Sequence, residues 1–181
     1  MSLYRRLFAV LPLTLVVLDQ ITKAWVRDRL PTDGRGPDAR IDVIDGFFRL
    51  VHRENPGAAF GIFRDFEHKA ILFAVVILAM TVAVVWMARQ LKPGQGVLAV
   101  ALCCILAGGY GNFIDRVVFG TVTDFLEFRA SGAFAQWTRQ VVGTSVFPQF
   151  NVADICVNVG VALFVVHTLF FERRTGGDDV S

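Results

Sequence analysis

The sequence predicts an all-α membrane protein, a four-transmembrane-helix bundle that carries a small β-element and an interfacial loop or helix outside the bilayer. Of its 181 residues 54% are hydrophobic and only 19% are charged, and the mean hydropathy is +0.53. A soluble domain of this size is less apolar and more charged. The apolar residues are also gathered into four runs of about 20 residues, the length of helix that crosses about 30 Å of hydrocarbon. We therefore expect one integral-membrane domain over residues 1–181.

The four apolar runs are the predicted membrane spans. They cover residues 7–26, 70–88, 97–118 and 150–171. The backbone has no water to bond in lipid, so runs of this length must be helices. The first run follows Arg5 and Arg6, as in a secretory signal peptide, but Asp19, Gln20 and Lys23 stand where a cleavage site of small residues would be needed. We interpret it as a permanent helix.

Basic residues indicate the orientation of the spans. Four helices would place both termini on the same side of the membrane. The basic residues next to the helix ends on that side are Arg5, Arg6, Arg89, Lys92, Arg173 and Arg174. The positive-inside rule makes that side cytoplasmic. The loop between residues 27 and 69 opposes this assignment, because it contains eight basic residues itself. Since charge density near the helix ends favours cytoplasmic termini, the outer regions are expected to be residues 28–69 and 119–149.

The two outer regions carry different patterns. The first begins with turn-forming Pro and Gly residues between positions 31 and 37 and continues as Ile41–Val51, whose partial alternation and β-branched residues predict a short surface hairpin. The second contains apolar and aromatic residues among polar ones, namely Phe125, Leu126, Phe128, Phe134 and Trp137. Aromatic residues concentrate at the membrane–water interface, so this region predicts an interfacial segment. The tail, residues 175–181, is expected to be disordered.

Composition argues against several classes of function. The net charge is only +2 and no basic run exceeds two residues, which does not suit a nucleic-acid surface. Cys103, Cys104 and Cys156 lie within apolar runs, without disulfide or zinc spacing, and are interpreted as small buried residues. The three histidines have no metal-ligand spacing either. We expect no metal, no cofactor and no nucleic-acid partner.

Ionisable and amide side chains inside the spans indicate where function lies, because an ionisable group there costs about 2.5–3.5 kcal/mol on insertion scales. Asp19 and Lys23 are four residues apart on one face of the first helix, and we interpret them as a structural ion pair. Asn151, Asp154 and Asn158 are spaced as one inward stripe on the fourth helix. The simpler alternative is that Asn151 caps the helix and Asp154 favours its dipole.

The outer end of the third helix has a polar face of its own. Gly108, Asn112, Asp115 and Arg116 fall within a sector of about 100°. The glycine allows another helix to approach closely, and the polar groups would line that approach. A helix cap with an interfacial arginine would explain Arg116 alone.

Asp124 follows just beyond the third helix, at the membrane face where the fourth helix begins. Asp124 and Asp154 can therefore meet, and two carboxylates in a partly dehydrated site share one proton. One can then activate a water while the other protonates the leaving group, as aspartyl peptide hydrolysis requires. On spacing alone Asp115 remains an alternative member of the pair. A Ser–Lys dyad is disfavoured, since none of the four serines lies in a nucleophile turn.

Five short motifs, in order and spread over nearly the whole chain, resemble those of signal peptidase II, the lipoprotein signal peptidase family. They are Asp19–Lys23, Asn55–Gly61, Gly111–Arg116, Val122–Phe125 and Asn151–Asp154. Each motif is weak alone, and the ordered set on four spans is specific. Thr123 stands where the family usually has valine. The loop between Asp124 and Asp154 is also longer than usual, and its extra residues around Ser131–Val146 are interpreted as part of an interfacial lid.

The resemblance implies a bacterial inner-membrane aspartyl endopeptidase with cytoplasmic termini and an extracytoplasmic β-sheet that cradles the substrate. Its substrates would be prolipoproteins that carry diacylglycerol on a cysteine, cut just before that cysteine. It implies catalytic roles for Asp124 and Asp154 at the periplasmic face. By the same matching, substrate-holding or orienting roles fall to Asn55, Gly57, Asn112, Arg116 and Asn151, and supporting roles to Asp19, Lys23 and Asp115. A monomer in contact with membrane lipids that binds globomycin-type cyclic peptides is expected.

Two other classes of function remain as alternatives. A small proton-coupled transporter or channel subunit would use Asp19, Asp115 and Asp154 as a relay. Inverted repeats and broken helices, which are common in transporters, are not evident in the sequence. A structural or assembly protein would not need polar faces on two helices. The relay predicts that Asp115 matters as much as Asp124, whereas the peptidase ranks Asp124 and Asp154 together above it.

Overall fold

The computed structural model describes residues 3–32, 39–57 and 69–172. The elements in chain order are α1 (Leu3–Arg29), β1 (Arg40–Ile44), β2 (Phe48–Asn55), α2 (Lys69–Arg89), α3 (Gly96–Phe119), β3 (Val122–Phe128), α4 (Gly132–Val142) and α5 (Val152–His167). A π-helical turn, Thr168–Glu172, extends α5. Several predictions fall outside the described residues, namely those on residues 33–37, on residues 58–61 of the second motif, on Arg173 and Arg174, and on the tail 175–181.

Four helices are long and apolar enough to cross a membrane, which confirms the number and order of the predicted spans. They are Tyr4–Arg29, Ile71–Arg89, Gly96–Phe119 and Val152–Phe170. The start of the fourth span was predicted two residues too early. The backbone N–H of Phe150 donates to the carbonyl of Leu126, and the Phe150 carbonyl accepts from the N–H groups of Phe125 and Leu126. These bonds pair Phe150 with β3, so the helix begins only at Val152.

The chain divides into two compact units, and the first contains the described residues 3–18, 70–114 and 152–172. Its apolar core centres on Val84, Leu98 and Leu102. Glycines bring α3 and α5 together: a Cβ on Gly108 would overlap the Ala153 carbonyl oxygen and lie 2.9 Å from the Val157 nitrogen. The predicted close approach of a helix at Gly108 is confirmed.

The second unit contains the described residues 19–32, 39–57, 69 and 115–151. It holds an antiparallel three-stranded sheet in the order β1-β2-β3. The predicted hairpin is confirmed as β1 and β2. The third strand was not predicted from the residue pattern, because Phe125 and Phe128 lie among polar residues, a pattern that is also typical of a membrane interface. In the structure Phe125 is buried, and the Phe128 ring stacks against Phe48 and Phe150.

The lengthened loop after β3 contains the helix α4, which follows Ser131 and ends at Gly143 with a left-handed φ of 80°. Ala135 and Thr138 form its buried face. Next to this buried face Phe134, Trp137 and Val141 are exposed, and the rings of Phe134 and Trp137 stack 5.7 Å apart. The predicted interfacial loop or helix is therefore an amphipathic helix.

Candidate active site

Asp124 lies in β3, in the second unit, with only 5% of its surface exposed. Two asparagine side chains bind its carboxylate. Nδ2 of Asn151 donates to Oδ1 at 2.8 Å, and Nδ2 of Asn55 donates to Oδ2 at 3.1 Å. Both oxygens of a buried carboxylate thus accept hydrogen bonds from neutral amides, which fix its orientation.

Each asparagine is itself held in place. Oδ1 of Asn55 accepts the backbone N–H of Gly57 at 3.2 Å, so its Nδ2 is left to face Asp124. Nη2 of Arg116 donates to the Gly57 carbonyl at 3.0 Å. Asn151 is fully buried, and its Nδ2 also donates to the Thr123 carbonyl at 3.3 Å. The predicted site residues Asn55, Gly57, Arg116 and Asn151 therefore converge on Asp124.

A buried ion cluster connects α1 with α3 in the second unit. Nζ of Lys23 lies 2.9 Å from Oδ2 of Asp19 and 3.2 Å from Oδ2 of Asp115, and none of the Lys23 side chain is exposed. The predicted Asp19–Lys23 pair is confirmed, and Asp115 joins it. Nε2 of Gln20 donates to both carboxylates, and Arg27 lies 3.7 Å from Asp115.

This cluster also holds β3. The backbone N–H of Thr123 donates to Oδ2 of Asp115 at 3.0 Å, and Nη1 of Arg27 donates to the Thr123 hydroxyl at 2.9 Å. A valine side chain in this position would have no atom to accept this bond. Because Thr123 precedes Asp124, the cluster fixes the strand next to the carboxylate. Arg27 was not among the predicted site residues, although its spacing of four residues from Lys23 places both on one face of α1.

Asp154 lies in the first turn of α5, in the first unit, and is half-buried. Nδ2 of Asn112 on α3 donates to its Oδ1 at 2.7 Å. Gly108, one turn before Asn112, removes the side chain that would keep α3 and α5 apart. The inward stripe predicted on the fourth helix was wrong for Asn158, which is exposed. The packed face of α5 is formed by Ala153, Cys156 and Gly160 instead.

The three polar residues predicted to line one approach to the third helix have three different partners. Asn112 binds Asp154 within the first unit. In the second unit Asp115 binds Lys23, and Arg116 binds the Gly57 carbonyl. One stretch of α3 therefore positions a carboxylate, closes an ion cluster and anchors the end of β2.

The chemistry available to the carboxylates differs. Asp115 is paired with the buried lysine ammonium at 3.2 Å and is part of the ion cluster. The contacts described above for Asp124 and Asp154 come from neutral asparagine amides. Those amides leave each carboxylate in a fixed position from which to exchange a proton with water or substrate.

Comparison with known proteins identifies relatives over almost the whole chain. A family model described as signal peptidase (SPase) II matches residues 11–170. A lipoprotein signal peptidase of Symbiobacterium thermophilum is 39% identical over 166 residues, covering 91% of this chain and 95% of that protein. One of Desulforapulum autotrophicum is 36% identical over 158 residues, covering 86% and 87%. A solved bacterial membrane enzyme superposes with a TM-score of 0.73 at 26% identity, covering 96% of this chain and 93% of its own.

Proposed function

Because this chain belongs to the signal peptidase II family, the lipoprotein signal peptidases, we propose that it is an aspartic endopeptidase whose catalytic groups are the carboxylates of Asp124 and Asp154. The observation that carries the proposal is the pair of asparagine amides that hold the buried Asp124. Asp154 has an equivalent amide donor in Asn112. In the sequence, Asn151 precedes Asp154 by three residues. The residue that binds Asp124 therefore lies directly before the helix that carries Asp154.

In this mechanism the two carboxylates hold one proton and one water between them. The ionised group takes a proton from the water as its oxygen attacks the carbonyl carbon of the scissile peptide. The protonated group gives its proton to the carbonyl oxygen, which yields a tetrahedral gem-diol. The carboxyl group that took the water proton then protonates the leaving nitrogen as the C–N bond breaks, and the other carboxylate takes a proton from a gem-diol hydroxyl as the new carboxylic acid forms. Asn55, Asn112 and Asn151 keep the carboxylate oxygens in the required geometry.

The proposed substrate is a prolipoprotein whose cysteine carries diacylglycerol, cut on the amino side of that cysteine. Family membership supports this class, and a lipid anchor suits a membrane enzyme, because it delivers the substrate already concentrated and oriented at the interface. We place the protein in the bacterial inner membrane, as a monomer with both termini cytoplasmic and the active site at the periplasmic face. The exposed aromatic face of α4 supports contact with lipid on that side.

Asp115 is assigned a positioning role. Lys23, Gln20 and the Thr123 N–H occupy its two oxygens, and none of its surface is exposed. A proton relay needs water or a mobile group next to Asp115, whereas both of its oxygens are bound by protein groups at a fully buried position. The contacts therefore favour the peptidase over the transporter alternative.

The decisive experiment is a cleavage assay on a purified diacylglyceryl-modified precursor with wild type, Asp124→Asn, Asp154→Asn and Asp45→Asn. The first two variants are expected to lose cleavage at matched folded levels. Asp45→Asn, in the exposed β1–β2 turn, serves as the control and should cleave at the wild-type rate. Near-normal processing by Asp124→Asn or by Asp154→Asn would exclude the assignment of that residue. Inhibition of the wild-type enzyme by globomycin is expected in the same assay.

A further inference from the structure

The connection between α2 and α3 lines one side of an open cavity of about 580 Å³ within the first unit. Its lining includes Trp86, Met87, Leu91, Lys92, Leu98 and His167. The cavity is remote from Asp154: the partner of Asp154, Asn112, lies sixteen residues beyond Gly96 on α3, or about 24 Å along the helix axis. It has no part in the proposed hydrolysis.

A tight turn fixes the polar side of the cavity. The Gln95 N–H donates to the Lys92 carbonyl at 3.2 Å, and Gly94 between them has a φ of 92° after Pro93, the pattern of a type II turn. The Lys92 N–H in turn donates to Oε1 of Gln95 at 2.8 Å. The backbone of Lys92 is thereby held at the edge of the cavity.

Positive charge collects around this turn. The Tyr4 hydroxyl donates to the Lys92 carbonyl at 3.2 Å, so the start of α1, with Arg5 and Arg6, adjoins the turn. Arg89 ends α2, three residues before Lys92. In the described part of the first unit the acidic residues are Asp154, remote from this end, and Glu172. α3 also begins here without an acidic residue in its first turn, so its positive N-terminus adds to the field.

We propose that this cavity binds the phosphate group of an anionic phospholipid. A soluble anion would need only the cationic side, but Met87, Leu91 and Leu98 give the cavity an apolar wall, and the indole of Trp86 is exposed beside it. The membrane-crossing stretch Ile71–Arg89 ends here and Gly96–Phe119 begins, which places the turn at the depth of lipid headgroups. Cationic clefts between transmembrane helices bind anionic headgroups in this way.

Native mass spectrometry of the full-length protein tests the proposal. Phosphatidylglycerol and phosphatidylcholine with identical acyl chains are titrated against wild type, Lys92→Gln, Lys92→Arg and Arg89→Gln. Wild type should prefer phosphatidylglycerol. Lys92→Gln and Arg89→Gln should each lose about fivefold in affinity for it, and Lys92→Arg should retain it. Arg29→Gln, which removes an exposed cation at the other end of α1, is the matched control and should bind as wild type does.

Two results would overturn the proposal. One is equal phosphatidylglycerol affinity in Lys92→Gln, Arg89→Gln and Arg29→Gln, each at the wild-type unfolding midpoint. The other is displacement of the lipid by inorganic phosphate at the same concentration, which would mark a site for soluble anions. If Lys92→Gln does not fold, Arg89→Gln decides the outcome. Because none of these residues is in the proposed catalytic site, failure here leaves the cleavage assay unaffected.

Discussion

At the scale of single residues, the positions of the candidate catalytic acids depend on asparagine amides. Asn55 and Asn151 donate to Asp124, and Asn112 donates to Asp154. An amide donor fixes the orientation of the carboxylate that it binds. Asp115 has a different partner, the Lys23 ammonium at 3.2 Å, and it belongs to the ion cluster.

Replacing Asn55 with alanine should slow cleavage without unfolding the protein. The variant loses the bond to Oδ2 of Asp124 and the acceptor for the Gly57 N–H. Since a hydrogen bond to a charged group contributes about 1.5–3 kcal/mol, we expect kcat/KM to fall about 10- to 100-fold. Asn158→Ala, on the exposed side of α5, is the control. Equal rates in the two variants would show that Asn55 does not position Asp124.

Replacing Lys23 with methionine should destabilise the fold. The change removes the ammonium that lies between the buried carboxylates of Asp19 and Asp115, and breaking a buried ion pair in this way costs about 3–5 kcal/mol. Denaturant unfolding in detergent measures the loss. Arg29→Ala removes an exposed cation that pairs with Asp28 and should change the free energy of unfolding by about 0–1 kcal/mol. An unchanged unfolding midpoint for Lys23→Met would mean that the cluster does not hold α1 to α3.

At the scale of elements, neighbouring glycines on α3 make different contacts. A Cβ on Gly108 would meet the backbone of α5, whereas one on Gly109 would meet the end of the flexible Met80 side chain. Gly108→Ala should therefore destabilise the protein by about 1–3 kcal/mol, and Gly109→Ala by less, because Met80 can move aside. Unfolding curves of the two variants decide this. A larger loss for Gly109→Ala would contradict the observed packing of α3 on α5.

The amphipathic helix α4 is expected to lie in the membrane interface. Trp137 is 54% exposed and stacks on Phe134, and such aromatic faces favour the headgroup region. A protein with Trp25 and Trp86 replaced by phenylalanine reports on Trp137 alone. Its fluorescence should be quenched by lipids brominated near the headgroup. Full quenching by aqueous acrylamide with none by brominated lipid would place α4 in water.

The spans and the hairpin could be predicted from sequence because each has a local pattern, a long apolar run or alternating β-branched residues. The third strand could not. β3 has no alternation of apolar and polar residues, because both of its faces are largely buried and each carries polar side chains. The distant pairing with β2 and the backbone bonds to Phe150 fix it instead. Only part of the ion cluster could be predicted from the sequence. The pair of Asp19 with Lys23 is local, whereas Asp115 joins from 92 residues further along the chain than Lys23.

At the scale of the whole molecule, the proposed orientation places the active site and the lipid cavity on opposite sides of the membrane. Cysteine labelling tests it in a variant that lacks the three native cysteines. Gln136→Cys on α4 and Gln90→Cys at the end of α2 are both exposed. An impermeant maleimide should label Gln136→Cys in spheroplasts and Gln90→Cys only after permeabilisation. The reverse pattern would invert the topology.

The proposed catalytic roles of Asp124 and Asp154 predict that the two side chains can share one water. A short bifunctional thiol reagent measures this in the cysteine-free background with Asp124→Cys and Asp154→Cys combined. We predict a single bridged adduct by intact mass, as for the control pair Asn55→Cys with Asp124→Cys, whose side chains are in contact. Two separate monofunctional adducts on Asp124→Cys and Asp154→Cys, under conditions that bridge the control pair, would contradict the claim.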